Sequence, residues 1–340
     1  MSWDAELAAL TARIADPLFK RPEPKATFAD LVRGLLADVP RKNSWQLADH
    51  LGHQTANRIE WLLSRAPWDA DALRDAVRAY VIEHLGRPDG VLIADDTQAI
   101  KKGDKSVGVA RQYCGLTGQI ENYQVMPMLT YASSAGHAFV NRRLYLPESW
   151  AGGFARRAVA GVPEQVVFAT KPQQVIDILT EEMAAGTPFR YFAADSGYGR
   201  DPVLRAFCHT RQVAYVVAVP VDLPVLKVRG GSEPVGHVLD RLLAQAPTAT
   251  PITELIGVAG ARWKTEENNE TGKDLLGLTQ YQVRKWDGWH RHVTSVMLAL
   301  AFLAVSHAHL DDQPRLEQAP PVISAGPNQG KDHRLPERPS

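Results

Sequence analysis

The sequence predicts a mixed α/β sheet with flanking helices, preceded by an all-helical N-terminal region. Three observations carry this. Apolar residues recur at helical spacing through FADLVRGLLADV, SWQLADHLG and ADALRDAVRAYVIEHL, before residue 86. Short runs rich in β-branched and aromatic residues begin after Gly90. Helical and strand patterns then alternate beyond residue 173, the order that puts helices against the faces of a mixed sheet.

The helical region occupies about residues 4–85, punctuated by Pro40, Gly52, Pro67 and the run GRPDG. Ser44 and Asp69 are the expected N-caps of its second and last segments. The strand VLIAD follows at 91–95, then SVGVARQYCG, NYQVMPMLTYAS and HAFVNRRLYLP, which read as an antiparallel meander. A helix over 173–185, the strand FRYFAAD at 189–195, a helix over 202–211 and the strand VAYVVAVP at 213–220 complete the sheet. One helical region is expected from 253 to 273 and a buried one from 289 to 307. The expected organisation is a helical domain at 1–88, a sheet domain at 89–308 and a disordered tail at 309–340, where prolines abound and apolar residues are few.

Composition narrows the function classes. Lys plus Arg equals Asp plus Glu, 38 of each, so any nucleic-acid surface must be a local patch. Cys114 and Cys208 have no metal-ligand spacing and form no disulfide framework. The first residues lack the layout of a signal peptide, and the apolar stretch 293–305 is too short to span a bilayer. The expectation is a soluble protein of a reducing cytoplasm, with no membrane partner. GDKS at 103–106 lacks the upstream glycines of a phosphate-binding loop. There is no H-E-x-x-H and no G-x-S-x-G.

Carboxylates at strand ends supply the chemistry. Asp95 and Asp96 end one apolar strand and Asp195 ends another. Each alone reads equally well as a turn starter or helix cap. Delivered together at the C-terminal ends of two strands, they make the oxygen-rich crevice that a hard divalent cation needs. Two such ions about 4 Å apart clamp the attacking and leaving oxygens of a phosphoryl transfer. The stretch RWKTEENNETGK at 262–273 places Arg262, Glu266 and Lys273 on one helical face as cation, carboxylate, cation. Read alone, that face is also an ordinary solvated ion-pairing surface.

The spacing Arg262, three residues, Glu266, six residues, Lys273 resembles the signature of bacterial insertion-sequence transposases of the DDE superfamily. Asp95-Asp96-Thr97 resembles their first catalytic D-x-T, and Asp195 in FAADSGYG their second aspartate. RKNSWQLADHLG, IKKGDKSVGVARQYCG, LYLPESW, FATKP and GLTQYQVRKWDGWHRH extend the similarity over about residues 17–307. The resemblance implies an RNase H-like sheet. It implies Asp95, Asp195 and Glu266 as a catalytic triad binding Mg²⁺ or Mn²⁺, with Asp96 and Glu267 as second choices. It also implies a homodimer that holds the terminal inverted repeats of double-stranded DNA, cleaves them and joins them to target DNA near the nucleoid.

The pattern departs from the family in two ways. Ala259 stands where a tyrosine is usual, and Asn269 and Gly272 stand at helix positions where aromatic and alanine residues are expected. Only 70 residues separate Asp195 from Glu266, so the β-rich insertion of the family is shortened at about 221–250. A non-catalytic, shortened remnant that only binds DNA is the alternative reading, and a metal-dependent nuclease without transposition is a third. Expected DNA contacts are Arg41 and Lys42 on the N-terminal helices, Lys101 and Lys102 beside the first catalytic strand, and Arg262 and Lys273 beside Glu266. Arg58, Arg65, Lys105, Arg111 and the run Arg284, Lys285, His290, Arg291, His292 extend these basic patches.

Overall fold

A computed structural model of the chain describes residues 2–114, 118–226, 232–234 and 252–311. The shortened segment over 235–250 and the tail beyond 311 lie outside the described residues.

Five helices come first: α1 (Trp3–Leu18), α2 (Pro22–Leu36), α3 (Ser44–His50), α4 (Asn57–Ser64) and α5 (Ala70–Leu85). Asp69 caps α5 by accepting the Asp71 amide at 2.8 Å. The cap of α3 is Asn43 rather than Ser44: its side-chain oxygen accepts the amides of Trp45 and Gln46, both at 3.1 Å. Asn at that position satisfies two orphan donors of the first turn.

The sheet contains β1 (Val91–Ile100), β2 (Ala110–Cys114), β3 (Gln119–Ser133), β4 (Gly136–Arg142), β5 (Tyr191–Ala194) and β6 (Tyr215–Val217). Its order is β2-β3-β1-β5-β6, with β4 also paired to β3. β2 takes the first part of the long β3 and β4 takes the last part. β3 runs antiparallel to β1, whereas β5 and β6 run parallel to it. Antiparallel strands on one side of β1 and parallel strands on the other make this an RNase H-like mixed sheet. β7 (Pro224–Leu226) and β8 (Ser232–Pro234) form a separate antiparallel pair.

The remaining helices are α6 (Glu148–Ala151), α7 (Phe154–Ala160), α8 (Lys171–Ala184), α9 (Ser196–Gly199), α10 (Pro202–Thr210), α11 (Ile252–Ala261), α12 (Trp263–Asp274) and α13 (Trp286–Asp311). The single helix expected over 253–273 is two, broken at Arg262. By length and composition α13 could cross a membrane. Here Val293, Val296, Met297 and Leu298 are fully buried inside the protein.

Alternation along β1 sorts the two faces of the sheet. Leu92 and Ala94 join the main core with Val175, Ile178 and Leu179 of α8. Val91 and Ile93 join a smaller cluster with Tyr191, Ala193 and Val258 of α11. The main core runs without interruption from Leu7 of α1 to Val305 of α13, across the turn at residue 88 where a domain boundary is expected.

A buried polar network ties the helical region to the sheet. The Arg142 guanidinium, 1% exposed, donates to Asp71 at 2.8 Å and Thr294 at 2.9 Å. Glu182 of α8 is fully buried and accepts from Asn141 at 2.8 Å, Thr187 at 2.7 Å and Arg78 at 3.3 Å. Every charge in this cluster has an opposite partner, the condition under which buried ions are tolerated.

Candidate functional site

The parallel register between β1 and β5 sets the site. Ala94 pairs with Ala194, and an aspartate follows each, Asp95 and Asp195; the expected end of the first strand at Asp95 is only the end of its pairing with β5, because β1 runs on to Ile100 against β3. Continuing the alternation, Asp95 faces the side of Val91, Ile93 and helix α11, and Asp96 faces the side of α8.

Asp195 is at once a strand-end residue and the cap of α9, its Oδ1 accepting the Tyr198 amide at 3.1 Å. The turn is tight because Gly199 lies against β6. A Cβ there would stand 1.9 Å from the Ala218 carbonyl oxygen, so only glycine fits.

Helix α12 brings the third carboxylate. It is fixed to the sheet by buried Asn268, which donates to Thr130 at 3.2 Å and lies 2.9 Å from His137 Nδ1. Gly272 lets the following chain pack close, since a Cβ would meet Leu278 Cδ2 at 3.2 Å. The expected alanine would crowd that contact. Glu267 is engaged by His137 at 3.0 Å and Lys264 at 3.2 Å. Glu266, the neighbouring carboxylate, instead acts electrostatically on Asp95.

Burial raises the Asp95 carboxyl to about 7. A hydrogen bond from the Asp96 amide at 2.7 Å opposes the rise, while Glu266, Asp195 and Asp96 add to it. The three expected carboxylates therefore share one electrostatic neighbourhood. Among the described residues, no set of three or more His, Cys, Asp or Glu side chains closes on a single ion position. The donor set nevertheless fits a hard divalent cation: the donors are all oxygens, and Asp95 meets mutual repulsion that a cation would relieve.

Asp96 is tied down on its own side of the sheet. The Lys171 ammonium, at the start of α8, pairs with Asp96 Oδ2, and the buried Tyr198 hydroxyl donates to Oδ1. Asp96 and Asp195 together hold the Lys171 pKa above its ordinary value, against burial, which lowers it. Neither partner is visible as such in the sequence, although FATKP and FAADSGYG contain them.

The expected DNA contacts divide into exposed and internal residues. Arg41 and Lys102 are exposed, and Arg262 and Lys273 are half-buried. Lys42 is not a surface cation: it is 4% exposed and donates to the carbonyls of Gly34 and Ala37. Lys101 is likewise turned inward, 3.4 Å from the centre of the Tyr281 ring and donating to Thr279 O at 3.2 Å. Burial lowers its pKa to about 7. His290, Arg291 and His292 belong to the core, not to a basic patch. Arg291 donates to the Trp68 carbonyl and His292 lies 3.0 Å from the Gly277 carbonyl.

A feature missed in the sequence is an open groove of about 1310 Å³ between the N-terminal helices. Arg21, Arg58, Arg65 and Trp61 line it, and Trp61 is 43% exposed. These residues come from two separate segments, the start of α2 and the length of α4, so no local pattern announces the groove.

Comparison with known proteins agrees with this geometry. The model of the DDE superfamily endonuclease family matches residues 16–234, and the chain belongs to that family. Asp95 and Asp195 lie within the matched stretch, and Glu266 lies beyond it. A probable transposase for insertion sequence element IS701 from Microchaete diplosiphon is 29% identical over 168 residues, covering 49% of this chain. The matched stretch spans 41% of that relative's length. Among solved structures, the Mos1 strand transfer complex covers 78% of this chain and 77% of its own at 11% identity. Its TM-score of 0.22 is too low to carry an argument about fold.

Proposed function

We propose that this chain is an insertion-sequence transposase that binds the ends of a mobile element and breaks phosphodiester bonds there. Asp95, Asp195 and Glu266 are the carboxylates that hold Mg²⁺ or Mn²⁺. The observation that carries the reading is the parallel pairing of Ala94 with Ala194, which sets Asp95 and Asp195 side by side on adjacent strands, where Asp95 is buried and repelled by Glu266 and Asp195. Carboxylates perturbed by burial and by like charges are candidates for functional sites.

The bound metal supplies nucleophile activation and stabilisation of the leaving oxygen. The protein supplies the frame. Asp95 and Asp195 present oxygens from adjacent parallel strands, and Glu266 approaches from α12. Partial burial keeps the local dielectric low, so each charge acts strongly. Arg262 and Lys273 flank Glu266 and contact phosphate oxygens near the cleaved bond. Arg41, Lys102 and the groove of Arg21, Arg58 and Arg65 contact duplex phosphates farther out. Strand transfer uses the freed 3′-hydroxyl at the same carboxylates, and a homodimer brings two ends together.

The test is cleavage of a linear duplex carrying the element's own ends, with Mg²⁺ or Mn²⁺. Wild type cuts and Asp195→Ala does not. Cleavage that survives Asp195→Ala contradicts the assignment. End binding without cleavage by wild type identifies a DNA-binding protein that has lost its chemistry.

A further inference from the structure

Two adjacent aspartates stand in the middle of β1, just past its last residue paired with β5, and their surroundings differ. Both carboxylate oxygens of Asp96 have partners, the Tyr198 hydroxyl on Oδ1 and the Lys171 ammonium on Oδ2. Asp95 accepts a hydrogen bond from the Asp96 amide on Oδ1. The side chain of Asp96 is 17% exposed and that of Lys171 is 41% exposed. Tyr198 also holds Asp195 through its backbone amide at 3.1 Å. One residue thus joins the middle of β1 to the residue that follows β5.

We propose that Lys171 and Tyr198 form a clamp that withdraws Asp96 from the metal ligands and leaves Asp95 as the β1 carboxylate. This rests on the metal reading above. The clamp works by charge and by geometry. Lys171 cancels the Asp96 charge, so the site presents three effective carboxylates rather than four. Alternation along the strand aims Asp96 at α8, and the two partners keep it there. Lys171 and Tyr198 are positioning residues, acting on the site through Asp96 and Asp195.

Freeing Asp96 adds an uncompensated carboxylate beside the site, which attracts a divalent cation. Lys171→Met is therefore expected to tighten Mn²⁺ binding in the absence of DNA. The gain requires Asp96 and disappears in Asp96→Asn/Lys171→Met, where the pair is replaced by neutral groups. Lys171→Arg keeps the charge and keeps wild-type affinity. Asp95→Asn removes a ligand and weakens binding by at least about tenfold, the least that loss of a metal-site partner costs.

The experiment is titration of the full chain with Mn²⁺ alone, read by the free-ion electron paramagnetic resonance signal, with circular dichroism confirming that each variant is folded. The supporting result is tighter binding in Lys171→Met, wild-type affinity in the neutral double variant and loss in Asp95→Asn. The clamp is overturned if the double variant loses as much affinity as Asp95→Asn, because Asp96 is then a ligand. It is also overturned if Lys171→Met leaves affinity unchanged while Asp95→Asn weakens it, an outcome that spares the metal reading. Absence of Mn²⁺ binding by wild type overturns the metal reading and the clamp with it.

Discussion

The polar network around Arg142 and Glu182 and the carboxylate cluster where the pairing of β1 with β5 stops are both partly buried groups of charge in one sheet. They are built on opposite principles. In the network each carboxylate meets a guanidinium, amide or hydroxyl, and Glu182 is satisfied three times over. Where β1 and β5 part, Glu266 and Asp195 repel Asp95, whose carboxyl is already raised by burial. That second arrangement contributes no stability and is the one the proposed cation would relieve, whereas the network holds α5, α8 and α13 to the sheet.

The largest way to break this contrast is Glu182→Ala. It removes the buried acceptor shared by Arg78, Asn141 and Thr187, leaving Arg78 to Asp75 and the Asn141 side-chain amine to Glu181, and the expected loss in urea unfolding is about 3–5 kcal/mol. A loss comparable to that of an ordinary surface substitution would show that the network is not the structural element described here.

A smaller effect separates the core histidines from titrating surface groups. Burial holds His292 at about 4 and His290 at about 3, both below the ordinary value of 6.5. Below pH 6.5 the unfolded chain gains protons that the folded chain refuses. Stability is therefore full above 6.5 and falls as pH drops toward 4. The raised Asp95 carboxyl works in the opposite sense over the same window, so a difference measurement is needed. Between pH 6.5 and 4.5 the stability slope of His292→Asn is expected to be shallower than that of wild type by about 1.4 kcal/mol per pH unit. Equal slopes would mean that His292 is not held neutral.

The smallest effect distinguishes Lys102 from its neighbour. If Lys102 contacts phosphate, Lys102→Ala lowers the dependence of log affinity on log salt by about 0.9. Lys101→Met leaves that dependence unchanged, because its ammonium is committed to Tyr281 and Thr279. A reduced slope for Lys101→Met would return that residue to the surface.

These pairs show what the sequence could carry. β1 runs on past Asp95 to Ile100, but Asp95 and Asp195 were legible as site candidates because an apolar run meeting a carboxylate is a local pattern. The α5 cap at Asp69 was legible for the same reason. The anchoring of α12 through Glu267 and Asn268 was not, since it depends on His137 and Thr130 from β4 and β3. Lys42, Lys101, Arg291 and His292 read as basic patches because composition reports charge without direction. Each is spent on a backbone carbonyl or ring that only the folded chain brings near. The break at Arg262 was hidden because α11 and α12 continue one helical periodicity across it.

The most direct test of the central claim is the thermal unfolding of Asp95→Asn with and without Mn²⁺. Without metal, relief of carboxylate repulsion leaves the variant at least as stable as wild type. With Mn²⁺ at about 100 times its dissociation constant from wild type, wild type gains about 2.7 kcal/mol and the variant, binding at least about tenfold more weakly, gains no more than about 1.4 kcal/mol. If Asp95→Asn instead unfolds earlier without metal, and Mn²⁺ raises both proteins equally, Asp95 is a structural residue and the account is wrong.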